Sequence, residues 1–421
     1  MDRALIVGAN INTDTKKGNF DMAMEEMVSL VKACNMQVVG RIEQNMESAN
    51  TATYIGTGKV AEVYEMVRSL EADIVVFDNG LSPIQLRNLQ KELDCAVMDR
   101  TTLILEIFST RARTREAKLQ VEVARLQYML PRLVGLHDAL SRQGGASGAM
   151  SSKGAGEKKL ELDRRRLEQR LTNMKHELDQ IAGERETQRK RRAQSGIPRV
   201  ALVGYTNAGK STIMNALLAH YSDDETKKVF EEDMLFATLD TTVRKIAPPD
   251  KNAFLLSDTV GFISNLPHSL VKAFRSTLEE VKEADLLLHV ADYSDENYME
   301  HMKVTEDTLK ELGAESIPVI YVYNKADLCG MGEFATVQGD NKLYMSAKSK
   351  NGIDALLTLI AEKLSDGYKD CELVVPYQRG DIVAYLNDNA VVHNTEYRED
   401  GVYIKANISR IDSGRYEQYI V

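Results

Sequence analysis

Gly204-Tyr205-Thr206-Asn207-Ala208-Gly209-Lys210-Ser211-Thr212 decides how the rest of this chain is read. The run follows the apolar stretch Val200–Val203 and precedes the helical pattern Ile213–Leu218, so the segment reads as strand, tight loop and helix. In such a loop several backbone N–H groups converge at a helix N-terminus, a natural seat for phosphate. Gly204 and Gly209 let the backbone wrap closely, Lys210 has the reach for β- and γ-phosphates, and Ser211 offers an oxygen to Mg²⁺. All nine residues are expected to bind nucleotide.

Three further motifs follow in order, each after an apolar run. Asp258-Thr259-Val260-Gly261 comes after Phe254–Ser257. A carboxylate there can hold Mg²⁺ through water, and the glycine can give its N–H to a γ-phosphate. Asn324-Lys325-Ala326-Asp327 comes after Val319–Tyr323. Guanine presents N1–H and N2–H₂ side by side, which one carboxylate accepts together. Adenine would leave Asp327 unpaired, so the motif selects guanine. Ser346-Ala347-Lys348, after Leu343–Met345, would add a backbone N–H for the guanine O6. This ordered set is that of translation-factor-like GTPases. A switch threonine should lie in Phe236-Ala237-Thr238-Leu239-Asp240-Thr241-Thr242, where side-chain chemistry leaves Thr238, Thr241 and Thr242 open. Phe262 stands where Ras-type enzymes carry the glutamine that orients water, so no catalytic residue is assigned and hydrolysis by the isolated chain should be slow. Asn207 either stabilises the loop or places a K⁺ ion beside the phosphates.

The flanking sequence divides the 421 residues into four expected domains. Residues 1–112 alternate strands (Ala4–Val7, Val38–Ile42, Ile74–Phe77, Ala96–Met98) with helices (Met22–Lys32, Val60–Leu70, Pro83–Leu93), which predicts a small N-terminal α/β domain. Residues 113–196 carry leucine-rich seams, Leu119 to Leu133 and Leu160 to Ile181, at spacings of three and four with one step of seven. They predict a long antiparallel helical hairpin with a Gly-rich tip at about 141–156. Residues 197–366 form the P-loop GTPase domain. Residues 367–421 read as a small α+β domain, with strands at Glu372–Pro376 and Gly401–Ile408 and a helix at Asp381–Leu386.

Composition bounds the class. Hydrophobic residues at 43% and charged residues at 28% exclude a largely disordered chain. No apolar run approaches the roughly 20 residues that span a bilayer. Met1-Asp2-Arg3-Ala4 has no basic stretch followed by a long apolar one, so no leader is expected and the chain is expected to be cytoplasmic. The four cysteines form no CxxC pair, which argues against zinc, and disulfides are not expected. The net charge of −10 excludes a uniformly basic nucleic-acid binder. Yet Lys158–Arg192 holds twelve Lys/Arg against seven Asp/Glu, a local basic island. It reads either as a solvated face with i,i+4 ion pairs or as a phosphate-contacting surface.

The whole chain resembles the HflX family of ribosome-associated GTPases. The resemblance rests on the ordered motifs above and on Tyr54-Ile55-Gly56-Thr57-Gly58-Lys59, Phe77-Asp78-Asn79-Gly80-Leu81-Ser82-Pro83 and Asp99-Arg100-Thr101-Thr102-Leu103-Ile104-Leu105. It continues through Glu116–Glu122, Leu130-Pro131-Arg132-Leu133, Leu162-Asp163-Arg164-Arg165-Arg166 and Leu266-Pro267-His268. The chain departs from the family's Arg-Gly-Pro-Gly-Glu linker, with Lys153-Gly154-Ala155-Gly156-Glu157 in its place. The resemblance implies Thr238 as the switch threonine, so that Ser211 and Thr238 would ligate Mg²⁺ directly and Asp258 through water. It implies a monomer that binds GTP and GDP and the 50S subunit through 23S rRNA, and that splits or rescues stalled or idle ribosomes under stress. RNA contacts are expected at Arg142, Lys153, Lys158, Lys159, Arg164, Arg165 and Arg166. The alternatives are an rRNA-binding assembly or hibernation factor that senses guanine nucleotide, or an ATP-dependent RNA remodeller acting through the N-terminal domain. For Gly56-x-Gly58-Lys59, which lacks full P-loop spacing, a structural turn before a helix is preferred over a second nucleotide site.

Overall fold

Short apolar runs separated by amphipathic ones build a parallel sheet at the start of the chain. The computed structural model describes residues 1–11, 17–143, 153–193, 197–221, 235–236, 241–248, 251–264, 280–330 and 335–421. Strands β1 (Arg3–Ile11), β2 (Gln37–Met46), β3 (Ile74–Phe77) and β4 (Ala96–Asp99) pair in the order β2-β1-β3-β4, all parallel. Helices α1 (Lys17–Ala33), α2 (Thr57–Ser69) and α3 (Pro83–Leu93) connect them. Ala4, Leu5, Ile6 and Val7 on successive positions are all fully buried, as a parallel strand covered on both faces requires. Ser82 and Gln85 cap each other's backbone N–H groups with Pro83 at the first helical position, so Ser82-Pro83-Ile84-Gln85 starts α3 by local chemistry alone.

A helix that periodicity does not reveal follows at once: α4 (Arg100–Arg111), capped by Asp99 Oδ1, which accepts from Thr102 N–H at 2.9 Å. Then come α5 (Arg115–Gln143) and α6 (Lys153–Ala193). Arg115 meets Glu177 at 2.6 Å and Arg170 meets Glu122 at 3.1 Å, the early-to-late pairing of an antiparallel hairpin. The expected tip at about 141–156 is described only at its two ends. Helix α5 runs through Gln143 and α6 begins at Lys153, leaving 144–152, which lie outside the described residues. Gly154 and Gly156 are helical, since an isolated glycine costs only about 1 kcal/mol against alanine. Residues Met1–Ile181 form one compact unit, to which the described residues Leu235, Phe236 and Ser264 also belong.

The second unit holds a seven-stranded sheet in the order β10-β11-β9-β8-β5-β7-β6. Its strands are β5 (Arg199–Gly204), β6 (Thr242–Ile246), β7 (Phe254–Asp258), β8 (Leu286–Asp292), β9 (Val319–Asn324), β10 (Thr336–Gln338) and β11 (Lys342–Tyr344). The five central strands are parallel, while β6 and β10 are antiparallel edges. Helices α7 (Lys210–Tyr221), α8 (Tyr298–Leu312) and α9 (Ile353–Leu364) belong to the same unit. A core of Val200, Leu202, Leu256, Leu288, Val290 and Val322 from the strands packs on Ile213 and Leu217 of α7 and Leu356 and Ile360 of α9.

The chain closes with β12 (Tyr368–Val375), α10 (Gly380–Asn389), β13 (Val391–Arg398), β14 (Gly401–Ser409) and α11 (Arg410–Arg415). The strands form an antiparallel sheet in the order β12-β14-β13. Strand β13 is absent from the sequence reading because its last six residues are exposed and it has no apolar alternation.

Asp99 ties β4, α4 and α5 together. Its Oδ2 accepts from Arg132 at 2.7 Å, from Leu81 N–H at 3.2 Å and from the Tyr128 hydroxyl, while the residue is 1% exposed. Burial and the neighbouring Asp99 charge hold the Tyr128 phenol above its ordinary range. Asp99→Ala should cost about 3 kcal/mol, because it leaves a partly buried guanidinium unpaired. Chemical denaturation of the full chain measures this, and a loss near zero would contradict the network.

Candidate functional site

The carboxyl ends of β5, β8 and β9 lie side by side, and the loops that leave them converge. Gly204 ends β5 with φ +148°, and a Cβ there would fall 2.2 Å from the Val290 carbonyl oxygen of β8. Asn207 takes a left-handed conformation (φ +59°) that Asn tolerates. Gly209 has φ +93°, and its Cβ would lie 2.1 Å from Asn324 Nδ2, so no other residue fits without displacing that side chain.

Asn324, at the end of β9, joins two loops. Its Nδ2 donates to the Ala208 carbonyl at 3.0 Å and its Oδ1 accepts from Ala347 N–H at 3.0 Å. The Ala347 N–H, a candidate donor for a guanine O6, is therefore engaged by Asn324. Lys325 adopts φ +62° and its Nζ donates to Asp292 Oδ2 at 2.7 Å. That conformation turns the chain into the short 3₁₀ helix Ala326–Cys329, on which Asp327 is exposed. Ser346 and Ala347 are buried, and Lys348 is exposed.

Lys210 is 6% exposed, and its Nζ donates to the carbonyls of Gly204 at 3.1 Å and Tyr205 at 2.7 Å. Burial pulls this ammonium down to about 8, against the opposing influence of Asp258. Ser211 Oγ donates to Asp258 Oδ2 at 2.7 Å, and Asp258 is fully buried. A hydroxyl and a carboxylate this close form an all-oxygen pair of the kind Mg²⁺ prefers. Thr259 is held by its hydroxyl, which donates to Leu202 O at 2.6 Å.

The segment after Gly261 lies along the loop itself. Phe262 N–H donates to Gly204 O at 3.1 Å, and Phe262 O accepts from Thr206 N–H at 2.9 Å. Its ring is buried at 4% exposure. Tyr205 is stacked on His301 of α8, ring centroids 4.0 Å apart, an element that sequence reasoning missed and no motif signals. His289 of β8 is 1% exposed with no hydrogen-bond partner on either ring nitrogen among the described residues, and burial lowers its pKa to about 4, so it is a neutral core residue.

Not every expected residue joins this constellation. Ala237, Thr238, Leu239 and Asp240 lie outside the described residues. Phe236 is buried at 3% exposure with its ring edge-on to Phe108 of α4 at 4.6 Å. Lys59 is paired with Glu62 at 2.7 Å, and Gly56 N-caps α2 while its N–H donates to Gln44 Oε1 at 3.1 Å. That is the structural turn. On α6, Arg164, Arg165 and Arg166 pair with Glu161, Glu168 and Asp163 along their own helix. Arg142 lies on α5 and Lys153, Lys158 and Lys159 on α6, with side chains outside the described residues.

Comparison with known proteins covers nearly the whole chain. Residues 21–109 match a family described as GTP-binding GTPase N-terminal, 111–192 the GTP-binding GTPase middle region, 199–325 the 50S ribosome-binding GTPase family, and 334–420 the HflX C-terminal domain. The GTPase HflX of Caldanaerobacter subterraneus subsp. tengcongensis is 42% identical over 94% of this chain and 90% of that protein. The GTPase HflX of Escherichia coli is 38% identical over 90% of this chain and 87% of its own length. A solved GTP-binding protein from Sulfolobus solfataricus, in complex with GDP, is 23% identical over 87% of this chain and 99% of that one, with a TM-score of 0.44. With the relatives matched almost end to end and the phosphate-loop, Asp258 and Asn324 geometry in place, the chain belongs to the HflX family of GTPases.

Proposed function

We propose that this GTPase acts on the large ribosomal subunit, contacting 23S rRNA with its helical hairpin and using GTP hydrolysis to split or rescue stalled or idle ribosomes under stress. The observation that carries the reading is the match of residues 199–325 to a family described by 50S ribosome binding. The exposure of Arg165 and Arg166, whose side chains are 71% and 79% accessible, supports the choice of hairpin. Double-stranded RNA is recognised mainly through phosphates and shape, which suits guanidinium groups on a long helix.

On this reading the residues of the site take the following roles. The backbone N–H groups of Gly204–Thr212 and the Lys210 ammonium receive the phosphates. Asp327 accepts guanine N1–H and N2–H₂. Ser211, Asp258 through water, and Thr238 would hold Mg²⁺, which when bound offsets the charge of the β- and γ-phosphates. Phe262 can neither donate nor accept through its side chain, so the group that orients the attacking water comes from rearranged switch segments or from the ribosome. GTP turnover by the isolated chain is then slow and is stimulated by 50S subunits. Single-turnover hydrolysis with and without 50S, in Na⁺ and in K⁺, tests this. Fast turnover by the isolated chain in Na⁺ would overturn it, and binding of the GTP-loaded chain to 50S without stimulation would favour a nucleotide-sensing assembly factor.

Lys210→Ala should weaken GTP by roughly a hundredfold or more, since it removes a charge-assisted contact from a buried site. Ser211→Ala should mainly damage Mg²⁺-dependent hydrolysis. Calorimetric titration separates the two, and an unchanged GTP affinity in Lys210→Ala would remove this loop from the phosphate site.

Asp327→Asn replaces a double acceptor with a group that can donate, which matches the O2 of xanthine. The variant should lose GTP and gain XTP by about tenfold or more. Competition between the two nucleotides measures it, and persisting GTP preference would locate base recognition elsewhere.

Reversing Arg164, Arg165 and Arg166 to Glu should weaken 50S binding and reduce the salt slope by about two to three, while leaving intrinsic hydrolysis unchanged. Sedimentation across a salt series gives the slope. An unaltered slope would show that these groups face water in the complex.

A further inference from the structure

One hydroxyl of the phosphate loop is buried without a hydrogen-bond partner among the described residues. Thr206 is 7% exposed, and its Oγ1 is out of contact with water and meets no donor or acceptor. Thr259, just beyond β7, shows the ordinary outcome for such a group: its hydroxyl donates to the Leu202 carbonyl at 2.6 Å. Nearby backbone carbonyls usually take the bond from a threonine, and a buried hydroxyl left unpaired costs stability and is rare in folded proteins. The backbone of Thr206 is itself fixed, since its N–H donates to the Phe262 carbonyl at 2.9 Å. The side chain nevertheless finds no acceptor.

The neighbours of Thr206 identify the part of the site it belongs to. A Cβ on Gly261 would fall 2.8 Å from both Cα and Cγ2 of Thr206 and 3.0 Å from Lys210 Nζ. Thr206, Gly261 and the Lys210 ammonium therefore gather around one point. Lysine at this loop position reaches β- and γ-phosphates, and the glycine of Asp258–Gly261 is the one whose N–H serves a γ-phosphate. Asp327, the residue that would select guanine, is on a different loop, beyond β9. The unpaired hydroxyl thus stands at the end of the site that receives the third phosphate. A phosphate oxygen is an acceptor with a full negative charge to share, which is the partner a lone O–H donor lacks.

We propose that Thr206 recognises the γ-phosphate: its hydroxyl donates to a γ-phosphate oxygen of GTP, a partner that GDP does not offer. This role rests on the phosphate-site reading of Gly204–Thr212. The cost of the unpaired hydroxyl is present in the chain without a γ-phosphate and is relieved when one binds, so the side chain favours GTP over GDP. A polar group that function retains against stability leaves a signature, because its removal makes the chain more stable and less selective.

The test uses the full chain. Thr206→Val replaces the hydroxyl by a methyl of similar size, Thr206→Ala removes it without filling the space, and Thr206→Ser keeps it. Affinities for GDP and for the non-hydrolysable β,γ-imido analogue of GTP are measured by calorimetric titration with Mg²⁺, and melting is followed without nucleotide. Thr206→Val and Thr206→Ala should lower the preference for the analogue over GDP about tenfold, the loss of one hydrogen bond to a charged group. Thr206→Ser should keep the preference of the parent chain. Thr206→Val should also melt about 2 °C or more above the parent, because an unpaired buried hydroxyl is gone. A hydroxyl that serves the fold alone would lower the melting point of Thr206→Val and leave the preference between the two nucleotides intact, and that result overturns the proposal. An equal loss of preference in Thr206→Ser overturns it as well. Lys210→Ala, titrated alongside with GDP, tests the phosphate site separately: unchanged GDP affinity in that variant would remove the site itself, and the role of Thr206 with it.

Discussion

One primary amide holds the nucleotide site in shape. Asn324 gives its N–H to the phosphate loop at Ala208 and takes an N–H from Ala347, so one side chain needs both a donor and an acceptor. Aspartate could accept from Ala347 but would set a charge against the Ala208 carbonyl. Serine or alanine would leave buried backbone groups unpaired, each worth about 1–3 kcal/mol. The requirement extends to Gly209, because Asn324 Nδ2 occupies the space a Cβ would take. The loop glycine is thus demanded by the packing of a residue more than a hundred positions away, as well as by its positive φ. Lys325 and Asp327 follow: the left-handed turn at Lys325 is what brings Asp327 out to the surface.

The parts of this fold that were legible in the sequence are those fixed by neighbouring residues. The capping box at Ser82–Gln85, the glycines of the phosphate loop and the apolar strands β1, β5, β8 and β9 each carry their own local signal. The helix α4 does not. Leu103, Ile104, Leu105, Ile107 and Phe108 are all buried, so the helix has little polar face and its periodicity disappears. The edge strands β6, β10 and β13 fail for the opposite reason, since few of their residues are buried and no alternation is selected. The buried bonds of Arg100 to Asp78, Glu26 and the Ser264 carbonyl are illegible for a third reason. These partners stand 22, 74 and 164 positions away, and no spacing rule connects them. The motifs containing Asp78 and Arg100 could be recognised, but their contact with Ser264 could not be read from either motif.

Net charge and local charge point in different directions here, and the structure reconciles them. Arg164, Arg165 and Arg166 lie on a helix whose own Glu161, Asp163 and Glu168 pair with them. Exposed pairs of this kind contribute little to stability. They keep the basic face of the hairpin from repelling itself within a chain of charge −10, and they are weak enough to be exchanged for phosphates. On the proposed function, the solvated-face reading and the RNA-contact reading therefore describe the same arginines in two states.

Lys210 shows how the site is prepared for its ligand. Its ammonium is buried, satisfied by two carbonyls of its own loop, and pulled down to about 8 by desolvation. A group whose folded pKa lies below its unfolded value is destabilised in its charged form, and the cost is fully present at pH values below that folded pKa. Near neutral pH the ammonium, without a phosphate beside it, would therefore carry this desolvation cost. A phosphate brought beside it restores the lost counter-charge and raises the pKa again. Above about pH 8 the ammonium is increasingly neutral before binding, so nucleotide must be taken up with a proton and its affinity falls as pH rises. The same burial thus makes phosphate, rather than water, the partner that best relieves the ammonium.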